Sequence, residues 1–151
     1  MGLGFDVHAR DADRVLWLGG VRFAGEPGLA GHSDGDAVCH AIADALLGAV
    51  AMGDVGQHLP DTDPAIAGIS GLDLLGRVVA LITAEGFAPV SCDVTVLCDA
   101  PAIAPHRDTM RQQLAAVLDI AVERVSVKAT RPEGLGLSGD GVGCLAVATV
   151  R

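Results

Sequence analysis

Gly2-Leu3-Gly4-Phe5-Asp6-Val7-His8 opens the chain, and the reading of this stretch governs the rest. It reads as a strand, and successive side chains of a strand point to opposite faces. Asp6 and His8 therefore fall on one face. A carboxylate and an imidazole side by side are two of the three protein ligands of a catalytic zinc, whose fourth position stays open. The motif His32-Ser33-Asp34-Gly35-Asp36, followed by His40, brings further ligand-type groups, and His40 near the start of a helix is the candidate third ligand.

Working outward, Val15–Leu18, Gly19-Gly20 and Val21–Phe23 read as a hairpin. Residues 37–52 follow a helical pattern dominated by Ala, Leu and Val. Ser33, Asp34 or Asp36 can cap its start, and Gly53 follows its end. Asp36, His40 and Asp44 are spaced by four, which places them on one helix face. Residues 53–70 are loop-like. Residues 72–84 predict a second helix, with Ser70 and Asp73 at capping-box spacing and a stop near Gly86. Residues 90–98 predict a strand, and 106–118 a helix with Pro105 near its start. Residues 125–130 predict another strand and 144–150 the last. This alternation predicts one α/β (α+β) domain over 1–151, either free-standing or part of a fusion. A mixed four-stranded sheet is covered by helices, and a small hairpin stands beside it.

Composition narrows the function. Of 151 residues half are hydrophobic but only 3% aromatic, so the core is built from Val, Leu, Ile and Ala. The net charge of −9 argues against nucleic acid, whose binding rests on basic phosphate contacts. It also means that an anionic substrate needs metal ions to neutralise it. There is no signal-peptide pattern and no apolar run of membrane-spanning length. Cys39, Cys92, Cys98 and Cys144 form no Cys-x-x-Cys pair and read as buried, reduced thiols of a cytoplasmic protein. Gly134-Leu135-Gly136-Leu137-Ser138-Gly139 fits a dinucleotide fingerprint superficially, but it precedes the last strand and opens no helix. His58 and His106 read as surface or helix-capping residues.

A series of motifs then runs the length of the chain: Gly4–His8, His32–Asp36, Asp44–Gly48, Gly53–Gly56, Pro60–Pro64, Ala100-Pro101, Pro105-His106, Val127–Thr130, Glu133 and Gly134–Gly136. In this order they closely resemble the 2-C-methyl-D-erythritol 2,4-cyclodiphosphate synthases of the non-mevalonate isoprenoid pathway. The resemblance implies a homotrimer around a threefold axis, with active sites between neighbouring subunits. It implies a cytidine diphosphate substrate, 4-diphosphocytidyl-2-C-methyl-D-erythritol 2-phosphate, giving the cyclic diphosphate and CMP. The implied compartment is the cytoplasm, or a plastid if a transit segment has been removed. By position, Asp6, His8 and His40 match the zinc ligands, and Glu133 the carboxylate of a second metal, Mg²⁺ or Mn²⁺. His32, Arg131 and Glu133 take the catalytic positions. Substrate contacts fall on Asp6, His8, His32 and Ser33, on Asp54, Gly56, Leu59, Asp61 and Asp63 of the loops, and on Thr130, Arg131, Glu133 and Leu137. The stretch Cys98, Ala100, Pro101, Ala102, Ile103 and Ala104 matches the cytidine pocket.

The chain also departs from the family pattern. Arg131 stands where relatives carry a transition-state-stabilising threonine, Pro132 removes a backbone N–H beside it, and Ala102 replaces a lysine. Asp140 stands where relatives have an arginine facing the central cavity, where it can hold an isoprenoid-type diphosphate. Three copies of Asp140 around an axis would repel that ligand. Two other readings stay open at this point: a catalytically impaired trimeric relative serving as a binding or scaffold module, and a generic zinc hydrolase.

Overall fold

The fold is seen in a computed structural model that describes residues 1–60, 62–136 and 140–151, with only the backbone of Ala65. In chain order the elements are β1 (Gly2–Leu18), β2 (Val21–Leu29), α1 (Ala37–Ala49), α2 (Val55–His58), α3 (Gly71–Ala84), β3 (Pro89–Leu97), α4 (Arg107–Leu118), β4 (Val125–Thr130) and β5 (Gly141–Val150). Among the described residues three short 3₁₀ turns lie between them.

β1 is one strand of 17 residues where the sequence reading had two pieces. Its first half pairs antiparallel with β5, from Gly2 opposite Ala148 to Ala9 opposite Gly141. Its second half turns at Gly19-Gly20 and pairs antiparallel with β2. The sheet therefore has five strands in the order β2-β1-β5-β3-β4, with only β3 and β4 parallel. The expected four-stranded sheet with a separate hairpin is corrected on this point. The hairpin is the far end of β1, so β2 becomes an edge strand of the same sheet.

The turn itself follows from its residues. Gly19 and Gly20 have φ of +58° and +75°, the pair of positive angles that a tight hairpin turn needs and that only glycine adopts readily. Asp36, fully buried, ties this turn to the helix behind it. It accepts hydrogen bonds from the N–H groups of Gly19, Gly20, Val38 and Cys39, so it is at once the N-cap of α1 and a staple for the hairpin.

α1 lies directly on β1. A Cβ on Gly4 would sit 1.9 Å from the Ala41 carbonyl oxygen, and one on Gly2 would sit 2.1 Å from that of Ala45. Only glycine permits this approach, and it fixes the faces of β1. Gly2, Gly4, Asp6 and His8 face the helix, while Leu3, Phe5 and Val7 face away and remain exposed. The core between sheet and helices is aliphatic as composition requires, with Leu46, Leu47, Leu75, Ile82, Leu114 and Leu118 almost fully buried. Each contributes roughly 1.5–3 kcal/mol of burial. Phe23 is the one aromatic ring in that core among the described residues. All four cysteines are buried and free.

Most boundaries agree closely with the sequence. Ser70 caps α3, its Oγ accepting from Asp73 N and donating to Asp73 Oδ2. The loop-like stretch from Gly53 hides one short helix, α2, capped by Asp54. A 3₁₀ turn at Ala104–His106 delays the start of α4 by one residue, and His106 packs its ring on Phe23. No helix among the described residues is long and apolar enough to cross a membrane.

Candidate metal centre and flanking cavities

Strand alternation on β1 and the first turns of α1 bring Asp6, His8 and His40 together. Asp6 Oδ2 lies 2.8 Å from His8 Nε2 and 3.4 Å from His40 Nδ1. The two ring nitrogens are 3.3 Å apart. A tetrahedral ion with bonds near 2.0–2.1 Å keeps its ligand atoms roughly 3.3 Å apart, so the triangle already has the right size.

The outer nitrogens of both rings are engaged. His8 Nδ1 donates to the Ala30 carbonyl at 2.5 Å, which leaves its Nε2 as a lone pair in the neutral ring. His40 Nε2 lies 3.1 Å from Ser33 Oγ, which also accepts the Gly35 N–H. If His40 Nε2 donates there, its Nδ1 is bare too. Such acceptors behind metal-bound imidazoles fix ring orientation and raise ligand basicity. Asp6 Oδ2 is sealed from solvent and makes no properly directed hydrogen bond. Three electron-pair donors facing one point with no proton between them is the arrangement a cation resolves. Burial pushes the Asp6 carboxyl up, but the His40 and His8 rings more than offset this and bring it from 3.8 down to about 2. The His8 imidazole is raised by the Asp6 carboxylate, against the effect of burial. Among the described residues this is the one such cluster of three or more ligating side chains.

Two cavities of about 220 Å³ flank the sheet end. The first holds His8, His32, Ser33 and His40 together with Gly56 and Leu59, and is completed by Gly31, Val55, Ile66 and Leu74. Asp54 lies beside it as the cap of α2, and Asp63 closes a turn with its N–H on the Pro60 carbonyl. Asp44, one helical turn beyond His40, accepts the Val55 N–H and so ties α2 to α1. The face shared by Asp36, His40 and Asp44 thus divides into a buried cap, a candidate ligand and a loop anchor.

The second cavity is lined by Cys98, Asp99, Pro101, Ala102, Ile103 and Ala104 after β3, and by Ala129, Thr130 and Arg131 at the end of β4, with Arg107 of α4. Ala100 instead faces a wider cleft with Arg10, Glu26 and Asp140, where the Arg10 guanidinium donates to its carbonyl. Val7, Gly143, Leu97 and Thr130 are paired in one row across β1, β5, β3 and β4. Three inter-strand steps put the two cavity edges roughly 14 Å apart at the same end of the sheet.

Glu133 is exposed with φ +52°, in a turn closed by Leu135 N–H on the Pro132 carbonyl, and lines neither cavity. Asp61 and Leu137 lie outside the described residues, as does the end of the Gly134–Gly139 stretch. Val55 and Asp99 fall within the expected stretches 54–56 and 98–104, whereas Gly31, Ile66, Leu74, Arg107 and Ala129 were not anticipated. Their contributions are space, backbone and shape, which carry no residue-type signature; Arg107, a cation beside Pro105-His106, was the one with a usable signal.

A mixed sheet backed by helices, with an Asp-His-His centre beside a cavity, defines a metal-site enzyme domain. The comparisons make this specific: the chain belongs to the YgbB family, whose model matches residues 1–151. A 2-C-methyl-D-erythritol 2,4-cyclodiphosphate synthase of Trichlorobacter lovleyi is 50% identical over 150 residues, 99% of this chain and 96% of that protein. A bifunctional enzyme IspD/IspF of Caulobacter vibrioides is 47% identical over 150 residues, 99% of this chain and 39% of that enzyme. A solved 2C-methyl-D-erythritol-2,4-cyclodiphosphate synthase bound to CDP superimposes with a TM-score of 0.91 at 33% identity over 99% of both chains.

Proposed function

We propose that the chain converts 4-diphosphocytidyl-2-C-methyl-D-erythritol 2-phosphate into 2-C-methyl-D-erythritol 2,4-cyclodiphosphate and CMP, as a lyase of isoprenoid precursor synthesis. The observation that carries this is the Asp6–His8–His40 centre opening on the cavity of His32 and Ser33, in a chain matching such synthases along its whole length.

An oxygen of the substrate's 2-phosphate attacks the β-phosphorus, the bond from that phosphorus to the bridging oxygen breaks, and CMP leaves with that oxygen. The nucleophile is already an anion, so no strong general base is required. The obstacle is charge repulsion and the freedom of a flexible substrate. Asp6, His8 and His40 would hold zinc and Glu133 a Mg²⁺ or Mn²⁺, and these cations would supply the neutralisation. His32 and Ser33 hold the methylerythritol phosphate end, assisted by Asp54, Gly56, Leu59, Asp61 and Asp63. The Cys98–Ala104 segment receives the cytidine, and Thr130, Arg131 and Leu137 flank its phosphates. Arg131 replaces a hydroxyl with a permanent cation and a fork of five donors.

The molecule acts as a homotrimer with its sites shared between neighbours. Leu3, Phe5, Val7 and Leu145 form an exposed apolar face on the side of the sheet away from α1, which association would cover. The two cavities on one chain are separated by the width of the sheet edge, which suits each being completed by an adjoining copy. The buried free thiols suit the cytoplasm.

Incubation with the cytidyl substrate, with and without Mg²⁺, tests the reading by phosphorus NMR and nucleotide chromatography. Cyclic diphosphate and CMP in equal amounts are expected. A linear phosphate product would make the protein a hydrolase, and no turnover would make it a binding module. The full-length identity to synthases favours neither.

A further inference from the structure

The segment Ala30–Ser33 backs both histidines of the metal centre, and its backbone can be accounted for carbonyl by carbonyl. The Ala30 carbonyl accepts from His8 Nδ1. The His32 carbonyl accepts the Gly68 N–H at 2.9 Å. The two others, Gly31 and Ser33, accept from one side chain, the guanidinium of Arg14, through Nη1 and Nη2 respectively. Arg14 therefore straddles His32 and satisfies half of this loop's acceptors.

The reach of Arg14 is built into the hairpin. The β1–β2 register runs Asp11 opposite Gly28 and then Val15 opposite Pro27, so the residues between, Arg14 among them, bulge out of the ladder. Bulges re-aim side chains. Gly28 makes this one possible, because a Cβ there would lie 2.6–2.7 Å from the backbone and Cβ of Arg14. On the other side of the loop, a Cβ on Gly31 would lie 3.3 Å from His8 Cε1, so the backbone is already in close contact with the ligand ring.

We propose that Arg14 is a positioning residue of the metal centre. Its planar fork holds the Ala30–Ser33 loop at the one height where Ala30 O meets His8 and Ser33 Oγ meets His40, and it presents His32 to the cavity. A guanidinium fits this task because its donors are fixed in one plane, whereas a lysine ammonium offers a single point of attachment. The inference rests on Asp6, His8 and His40 being a zinc site.

The test is zinc affinity, measured by competition with a chromophoric chelator, for wild type, Arg14→Ala and Arg14→Lys, with thermal melts of the metal-free proteins alongside. Zinc binding by Arg14→Ala is expected to weaken about tenfold, the low end of what loss of an outer-shell partner costs, while its metal-free melting temperature stays near that of wild type. Methylguanidine added to Arg14→Ala is expected to restore most of the loss, and Arg14→Lys to fall in between. If Arg14→Ala does not fold, Arg14→Lys alone decides. Zinc affinity within twofold of wild type in the variants that fold, or a wild type that binds no zinc, would overturn the proposal. No turnover is needed for this readout, so a wild type that binds zinc but makes no cyclic product would count against the proposed function and leave Arg14 decided.

Discussion

The two cavities at the end of the sheet are built on different plans. The metal-side cavity depends on side chains of particular types, Asp6, His8 and His40, projecting from β1 and α1. Those elements are locked together by the glycine contacts at Gly2 and Gly4 and by the four N–H groups gathered on Asp36. The second cavity is walled largely by small residues and main chain from the segments that follow β3 and β4. Its surface is a path of backbone, which many side chains can decorate. Of the departures read against the family motifs, Ala102 and Arg131 line the second cavity and Pro132 adjoins it, whereas Asp140 lines the separate cleft with Arg10 and Glu26.

The largest effects should come from breaking the metal side. His8→Ala or His40→Ala should lose most bound zinc by metal analysis. CMP release should fall by more than the roughly 10–100-fold typical of an outer-shell change. Full zinc occupancy in either variant would dissolve the contrast between the cavities. Next comes Ser33→Ala, which leaves the triad intact but removes the oxygen behind His40. Zinc affinity should drop about tenfold or more, read by chelator competition, with little change in the melting temperature of the metal-free protein.

The second cavity should respond in substrate binding and not in metal content. If Arg131 meets the substrate phosphates as proposed, Arg131→Ala forfeits about 1.5–3 kcal/mol, and KM for the cytidyl substrate should rise by about tenfold or more. Zinc content should be unchanged, and a loss of zinc would show that the two regions are not independent. The smallest effect concerns Asp44. Burial pushes its carboxyl up, against the lowering effect of the Val55 N–H. An acid whose pKa is higher folded than unfolded destabilises the fold when ionised, and the penalty fades as pH falls through the raised value. Asp44→Asn, which can still accept from Val55, should melt at or slightly above the wild-type temperature at pH 7. The difference should shrink toward pH 4. Asp6 has the opposite sign: its carboxyl sits at about 2, so its contribution is present above the ordinary value of 3.8 and is lost only as pH falls toward 2.

Much of this was legible in the chain itself. The hairpin at Gly19-Gly20, the capped starts of α1 and α3, the aliphatic core and the pairing of Asp6 with His8 all follow from local rules of turn angle, capping and strand period. The continuity of β1 did not, because the bulge before Val15 interrupts the alternation that would have announced one long strand. The short helix α2 did not either, since four residues are too few for a period to show.

The sequence by itself determined which atoms could bind a cation: two donors on one strand face and a third near a capped helix start. Only the tertiary structure decided that those atoms meet 2.8–3.4 Å apart. It also decided that Asp36, a cap candidate in the sequence, staples the hairpin as well, and that the Ala30 carbonyl and Ser33 Oγ stand behind the histidines on a loop held by Arg14. The physical reason is the difference between a side chain and a main chain. A carboxylate or imidazole declares its chemistry in its own letter, whereas a carbonyl is the same in every residue and gains a role only when the fold brings a donor to it.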